Sequence, residues 1–382
     1  MSLPPTRVSP EELSAHAGRL IVDLDALAEN YRALAARAGP AEAAAVVKAD
    51  AYGTGVEGAV PALSAAGCRT FFTAILAEAR RVKALAPDAT VYALGGLAPG
   101  CAGAFAEARV RPVLGSPPEI EEWAEFCRSH GKPLAAALHA DTGMNRLGLS
   151  LEQCRALSGS GALDQFEIAL VMTHPACADD LSDPATEAQR RRFDEARALL
   201  PAAPASFANS AATLRDAAFH YDLVRPGIAL YGGAAVNGAQ NPMRNVVTVT
   251  ARIVQLRDAK AGEAVGYGAV QHLRRDSRLA ILSAGYADGY VRLAGGSDAR
   301  AGGSAFIDGT PAPLVGRVSM DLVAVDVTDL PEDAVAPGRE VVLIGEEFTV
   351  DDVARLCGTI GYEILTRLGP RFLRQYAGGP AT

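Results

Sequence analysis

The stretch Ala43-Ala44-Ala45-Val46-Val47-Lys48-Ala49-Asp50-Ala51-Tyr52-Gly53 joins a short apolar run to a lysine, an aspartate and a glycine. The run is too short for a helix and is continuous, which is typical of a parallel strand buried on both faces. Similar runs, most of them followed by helical stretches, occupy residues 43–47, 70–75, 90–94, 110–114, 134–138, 166–173, 205–208 and 221–224. Eight such units predict an α/β fold, a (β/α)8 TIM-like barrel, with a doubly wound open sheet as the alternative.

The rest of the chain has a different pattern. Apolar and polar residues alternate from residue 247 to 254, which indicates a strand. Further strands are predicted at residues 278–283, 305–307, 322–327 and 340–344. Helices are predicted at residues 24–36, 350–356 and 360–368, with Asp25, Thr349 and Thr359 as their caps. We therefore predict a barrel over residues 1–240 and a mostly β domain over residues 241–382.

Charge and composition argue against several classes of protein. The 382 residues carry 36 Lys and Arg against 44 Asp and Glu, a net charge of −8, so nucleic acid is not the expected partner. No apolar run reaches the length of about 18 residues that suggests a membrane span, and residues 1–10 lack a signal-peptide pattern. The six scattered cysteines indicate reduced cytosolic thiols rather than disulfides or a zinc site. We expect a cytoplasmic enzyme without metal, membrane or nucleic-acid partners.

In a (β/α)8 barrel the active site lies at the carboxyl ends of the strands. Lys48 follows the first predicted strand, where apolar walls would lower its pKa and permit Schiff-base chemistry, although position alone fits a solvated rim lysine equally well. The loops after strands seven and eight are the usual phosphate site of this fold, and they contain Asn209, Ser210, Gly227 and Ile228. A lysine opposite a phosphate site suggests pyridoxal 5'-phosphate (PLP), although a class I aldolase would offer both.

Residues 46–53 closely resemble the PLP-lysine signature of the alanine racemase family. Further blocks resemble that family in the same order over nearly the whole chain. They are Asp141-Thr142-Gly143-Met144-Asn145-Arg146-Leu147-Gly148, Asn209-Ser210-Ala211-Ala212-Thr213, Val224-Arg225-Pro226-Gly227-Ile228, Val265-Gly266-Tyr267-Gly268, Gly285-Tyr286-Ala287-Asp288-Gly289, Gly316-Arg317-Val318-Ser319-Met320-Asp321 and Gly358-Thr359-Ile360-Gly361-Tyr362-Glu363-Ile364.

The resemblance implies an isomerase, a PLP-dependent alanine racemase that supplies D-alanine for cell-wall peptidoglycan. It also implies a head-to-tail homodimer, in which each active site combines one subunit's barrel with the other subunit's β domain. The first few residues of the chain are expected to pack with the β domain.

The resemblance also implies roles for individual residues. Lys48 is the expected Schiff-base lysine, and Tyr267 is the expected base on the opposite face of the substrate. The expected cofactor contacts are Lys48, Tyr52, His174, Asn209, Ser210, Arg225, Gly227, Ile228 and Tyr362. The expected substrate contacts are Arg146, Met320 and Tyr286.

Racemisation explains why these residue types are needed. A proton must leave Cα on one face and return on the other, so two bases on opposite sides solve the geometric problem. A tyrosine has a reference pKa of about 10, and a cationic relay through Arg225 and His174 would favour its phenolate. Because a guanidinium stays protonated, Arg225 would donate a hydrogen bond to the ring nitrogen of PLP and disfavour transamination.

One position departs from the family pattern. Many members carry a carbamylated lysine two residues before the Asp-Thr-Gly-Met block, where it orients the arginine that matches Arg146. His139 stands at that position and cannot form a stable carbamate, so chloride or a nearby carboxylate is the expected replacement. The alternative functions are a racemase for serine, lysine or a broader set of amino acids, a barrel decarboxylase, and a non-catalytic PLP-binding protein.

Overall fold

The computed structural model describes residues 9–380. They divide into two compact units, which we call the barrel unit (residues 27–51 and 55–244) and the β unit (residues 9–26, 52–54 and 245–379). The prediction that the first few residues pack with the β domain concerns residues 1–8, which lie outside the described residues.

The strands, in chain order, are β1 (Gly18–Asp23), β2 (Glu42–Ala43), β3 (Ala45–Val46), β4 (Thr70–Thr73), β5 (Thr90–Ala93), β6 (Arg111–Leu114), β7 (Ala135–His139), β8 (Glu167–Met172), β9 (Ala205–Ser206), β10 (Leu223–Val224), β11 (Val247–Ala259), β12 (Ser277–Leu282), β13 (Ser304–Ile307), β14 (Thr310–Pro313), β15 (Val323–Asp326), β16 (Glu340–Ile344) and β17 (Phe372–Ala377). The helices are α1 (Pro10–Ser14), α2 (Leu24–Ala38), α3 (Val56–Ala65), α4 (Leu76–Leu85), α5 (Ala102–Ala108), α6 (Pro117–His130), α7 (Leu151–Leu157), α8 (Ala185–Leu199), α9 (Ser210–Arg215), α10 (Val350–Cys357) and α11 (Gly361–Arg367).

The barrel unit contains all eight predicted strands. Strands β3 to β9 form one parallel sheet in chain order. Strand β10 closes it: Arg225 N–H donates to Ala208 O at 2.8 Å on one side, and Val46 N–H donates to Pro226 O at 3.0 Å on the other. The predicted barrel is therefore confirmed, and its interior strands are buried apolar runs because both of their faces are covered.

In the β unit, six strands lie in the order β14-β13-β16-β11-β1-β17, and β12 joins β11 to β15. Strand β1 runs antiparallel to β11 and parallel to β17. The first residue of β1, Gly18, is a glycine because a side chain there would overlap the carbonyl oxygen of Thr250. A mostly β C-terminal region was predicted, but strands β1, β14 and β17 were missed.

The helix caps correct two predictions. Asp23 rather than Asp25 caps α2, since its Oδ1 accepts from Ala26 N at 2.8 Å. Thr349 caps α10 as predicted, in a reciprocal pair with Asp352. Thr359 does not cap α11, because the N-cap residue is Ile360 and the Thr359 hydroxyl donates to Glu363. No helix within residues 9–380 is both long and apolar enough to cross a membrane.

Candidate active site

Lys48 lies just beyond β3, at the carboxyl edge of the barrel, and begins a left-handed turn. Ala49, Asp50 and Ala51 have φ angles of 53°, 54° and 53°. This region is costly for residues with a Cβ, by roughly 1–2 kcal/mol each. Two carboxylates support the turn: Glu78 Oε1 accepts from Ala49 N at 2.7 Å, and Asp50 Oδ1 accepts from Val56 N at 3.2 Å. The strained backbone is thus held in place directly beside the lysine.

The environment of Lys48 favours its neutral amine. Burial lowers the pKa of Lys48, and the nearby Arg146 cation lowers it further, while Glu78 acts weakly in the opposite direction. An amine with a depressed pKa is available both as a nucleophile and as a proton acceptor. Glu78 was missed by the sequence interpretation, since it reaches this turn from α4, a separate segment of the chain.

Arg146 lies in a loop organised by Asp141. The Asp141 Oδ1 atom accepts from the backbone N–H groups of Gly143, Met144 and Asn145 at 2.9, 3.0 and 3.2 Å. Within the described part of the chain, the Arg146 guanidinium makes no hydrogen bond or ion pair. It lines a cavity of about 290 Å³ with His139. An unpaired guanidinium near a lysine amine is suited to bind the carboxylate of an amino acid.

Two histidines near this arginine are held neutral. Burial lowers the pKa of His139 to about 4, and the cations Arg225 and Arg146 lower it as well. The pKa of His174 is lowered well below its usual value by burial and then by Arg225, Arg146 and Lys48. A neutral His139 supplies no negative charge for Arg146, and no carboxylate among residues 9–380 lies within ion-pairing distance of that guanidinium. A carboxylate therefore does not take the place of the carbamylated lysine among these residues, and chloride in that place stays a prediction.

Arg225 follows β10 and is almost fully buried. Its Nη2 donates to Thr173 O at 2.6 Å, and its Nη1 donates to the hydroxyl of Ser206. Burial lowers its pKa to about 9, which leaves the guanidinium protonated near pH 7. The structure therefore holds a fixed cation at this barrel edge.

Several hydrogen-bond donors converge next to Arg225. Ser210 Oγ accepts from Gly227 N at 2.8 Å and from Ala229 N at 3.3 Å, so one hydroxyl and two backbone N–H groups cluster in a buried place. Asn209 Oδ1 accepts from Ala212 N at 3.0 Å, so this side chain caps α9 and positions Ser210. A cluster of neutral donors of this kind fits a phosphate group.

Gln189 connects two loops of the site and was also missed. Its Nε2 donates to Thr142 Oγ1 at 3.2 Å and to His174 O at 3.1 Å, and its side chain is buried. Nothing in the local sequence of α8 distinguishes this glutamine from a solvated helix residue. Its role depends on the packing of α8 against loops far away in the chain.

The β unit carries the remaining predicted residues. Tyr52 and Tyr362, both expected to contact phosphate, have ring centroids 5.9 Å apart, and burial raises the pKa of Tyr52. Tyr267 and Met320 are 70% and 52% exposed, and Tyr286 is half-buried. This unit therefore presents part of the predicted site on its surface.

Comparisons with known proteins identify both regions. Residues 22–235 match the family described as alanine racemase, N-terminal domain, and residues 246–376 match alanine racemase, C-terminal domain. An alanine racemase of Methylobacterium nodulans is 50% identical over 366 residues, covering 96% of this chain and 98% of the relative.

Two solved structures are similar over most of their length. The alanine racemase of Bartonella henselae with covalently bound pyridoxal phosphate is 37% identical, with a TM-score of 0.89, and the match covers 94% of this chain and 99% of that one. The alanine racemase of Bacillus anthracis with bound L-Ala-P is 26% identical, with a TM-score of 0.85 and 95% of both chains covered.

Proposed function

The chain belongs to the alanine racemase family, and from this membership and the geometry of its site we propose how its residues interconvert L- and D-alanine. It is a PLP-dependent isomerase. The observation that carries the residue assignment is the pairing of Lys48 with Arg146. The half-buried Lys48 amine, whose pKa is lowered, lies near a guanidinium that has no partner among the described residues. The guanidinium would bind the substrate carboxylate and bring Cα to the amine.

The residues of the barrel unit fit PLP. Ser210 and the N–H groups of Gly227 and Ala229 would hold its phosphate, Lys48 would hold it covalently, and Arg225 would donate to its ring nitrogen. When bound, PLP withdraws electrons from the amino acid and so acidifies the Cα–H bond. A cationic Arg225 cannot protonate that nitrogen, which limits the side reaction of transamination.

Two side chains would move the proton. Lys48 would accept or return it on one face, since burial and Arg146 lower its pKa and so favour the neutral amine. Tyr267 would do the same on the other face. His174, neutral and near the Arg225 cation, would relay the charge that favours the Tyr267 phenolate.

We propose that Tyr267 acts in the site of a second copy, in a homodimer with shared active sites. The exposure of Tyr267, Met320 and Leu322, at 70%, 52% and 43%, supports a surface that another copy covers. A mixture of Lys48→Ala and Tyr267→Phe proteins tests this arrangement. Each mixed dimer would regain one intact site, so activity should rise toward about a quarter of the wild-type value. No recovery after verified subunit exchange would contradict shared sites.

The reaction itself is tested by deuterium incorporation at Cα with a panel of L- and D-amino acids. We expect fast exchange with both enantiomers of alanine, and borohydride should trap a cofactor adduct on the peptide that contains Lys48. Trapping on another lysine would contradict the assignment. The panel also separates alanine from serine, lysine or broader specificity. We propose that the product D-alanine supplies peptidoglycan synthesis in the cytoplasm.

A further inference from the structure

A fully buried carboxylate lies beneath the turn that carries Tyr286. Residues 285–289, which we call the Tyr286 turn, contain a short 3-10 helix, Tyr286–Asp288. Asp288 is 0% exposed, and its Oδ2 accepts from Gly285 N at 2.7 Å. Burial raises the pKa of Asp288, while the Gly285 N–H and the cation of Arg371 oppose that shift. A carboxylate in such a place needs a partner to stay charged.

The Tyr286 turn packs directly on residues 319–322, which we call the Met320 loop. Tyr286 N donates to Ser319 O at 3.0 Å, and Ala287 N donates to Met320 O at 2.9 Å. Any side chain at Gly285 would overlap the carbonyl oxygen of Met320. The two residues predicted to border the substrate are therefore carried by segments in backbone contact.

Arg371 joins these two segments through its guanidinium. Its Nε lies 2.8 Å from Asp288 Oδ1 in the Tyr286 turn, and its Nη1 donates to Asp321 Oδ1 at 2.8 Å in the Met320 loop. The contact with Asp321 is a hydrogen bond, and the contact with Asp288 is an ion pair. A rigid guanidinium can contact two carboxylates at once, whereas a lysine ammonium is a single point charge on a flexible stem. Arg371 itself is anchored through its carbonyl, which accepts from Ala17 N at 2.9 Å.

We propose that Arg371 is a positioning residue that sets the size of substrate side chain the enzyme accepts, by bridging the Tyr286 turn to the Met320 loop. The inference rests on the proposed function and on the family resemblance, which implies that Tyr286 and Met320 contact the substrate. Without the bridge, two backbone hydrogen bonds remain between the segments, and the long, flexible Met320 side chain is free to yield. The pocket would then admit a larger side chain.

The test compares alanine with 2-aminobutyrate, which adds one methylene, and with serine. The variant Arg371→Lys keeps a cation beside the buried Asp288. Asp321→Asn removes the negative charge from the exposed arm of the bridge and keeps an acceptor oxygen there. Arg275→Lys is a matched control, because Arg275 is similarly exposed and lies 2.5 Å from Asp329 and 3.9 Å from Asp326, away from both segments. Amide hydrogen exchange at Tyr286 and Ala287 provides a readout independent of activity.

One methylene changes kcat/KM by about 10- to 200-fold in a fitted pocket. We expect the ratio of kcat/KM for alanine to that for 2-aminobutyrate to fall by about fivefold in Arg371→Lys and by about threefold in Asp321→Asn, with faster exchange at both amides. The control should keep the wild-type ratio. An equal fall in kcat/KM for every substrate, with an unchanged ratio for alanine and 2-aminobutyrate, would overturn the proposal. Arg371 would then have only a structural role.

The outcome also separates this inference from the proposed function. If the wild-type enzyme racemises alanine and only the ratio fails to change, the Arg371 proposal alone is wrong. If the wild-type enzyme fails to exchange the Cα proton of alanine, the proposed function is wrong.

Discussion

The barrel unit and the β unit position the residues proposed to act in the site in different ways. In the barrel unit, Arg225 and Ser210 are buried and fixed by hydrogen bonds to backbone groups. In the β unit, Tyr267 is 70% exposed at the tip of the hairpin formed by residues 262–273. Gly266, Gly268 and Ala269 of this hairpin have φ angles of 74°, 79° and 47°. The barrel unit tunes its groups by burial, whereas the β unit presents a side chain by backbone conformation.

The hairpin that carries Tyr267 is held at its base rather than at its tip. Gln271 Oε1 accepts from Gly316 N at 2.7 Å, and Asp298 Oδ1 accepts from His272 N at 2.8 Å. Because these contacts hold the base of the hairpin and leave Tyr267 exposed, the Tyr267 side chain can enter an active site to which a second copy contributes residues. The difference predicts that substitution of Lys48 impairs proton exchange from both enantiomers, while substitution of Tyr267 impairs exchange mainly from one enantiomer.

The largest expected effect is that of Lys48→Arg. The guanidinium cannot release a proton near pH 7, so it can neither hold the cofactor covalently nor accept a proton from Cα. Racemisation should fall by about 10³-fold or more in both directions, measured by circular dichroism of alanine. The control Lys83→Arg alters another lysine whose pKa is lowered by burial, and it should keep full activity. Racemisation near the wild-type rate in Lys48→Arg would contradict the role of Lys48.

Tyr267→Phe should slow proton exchange at Cα unequally for the two enantiomers of alanine. Removing the phenol hydroxyl deletes one base and leaves Lys48 in place, so Cα exchange should fall by about 10²- to 10³-fold from one enantiomer and much less from the other. Deuterium incorporation from L- and D-alanine measures this difference, and PLP absorbance shows that the cofactor stays bound.

The control for that variant is Tyr290→Phe, which removes a buried hydroxyl that has no hydrogen-bond partner among the described residues. It should retain symmetric exchange. Equal residual exchange from both enantiomers in Tyr267→Phe would count against the two-base mechanism.

Because His139 is buried in its neutral form, we expect the free energy of unfolding to fall in acid. Its folded pKa of about 4 lies below its usual 6.5, so the unfolded chain binds more protons between these values and stability falls as the pH drops from 6.5 to 4. The total loss from this group is about 3 kcal/mol. His174 contributes in the same direction, so His139→Asn should remove part of the slope.

Urea unfolding across that pH range measures the slope. The exposed His130 offers a matched control, since His130→Asn should leave the slope unchanged. A wild-type unfolding free energy that stays constant from pH 6.5 to 4 would contradict the burial of neutral His139.

The sequence predicted the barrel well because each of its strands is a local apolar run with both faces covered. The positions of Lys48 and Arg225 at the barrel edge could be predicted because both residues directly follow such runs, whereas their proposed roles come from the family resemblance. Strands β1 and β17 were missed because they pair with each other across most of the chain, from Gly18 to Phe372. Glu78 and Gln189 were missed for a similar reason, since their partners lie in segments that only the closed barrel brings near.

The smallest effect we predict is at the phosphate donors. Ser210→Ala removes a hydroxyl but leaves the N–H groups of Gly227 and Ala229 available, so PLP affinity should fall by only about tenfold, the equivalent of one lost hydrogen bond to a charged group. Equilibrium dialysis of the apoenzyme with PLP measures this change. Ser150→Ala is the control, because Ser150 caps α7 and its loss should lower stability without changing PLP affinity. An unchanged dissociation constant in Ser210→Ala would show that backbone groups alone hold the phosphate.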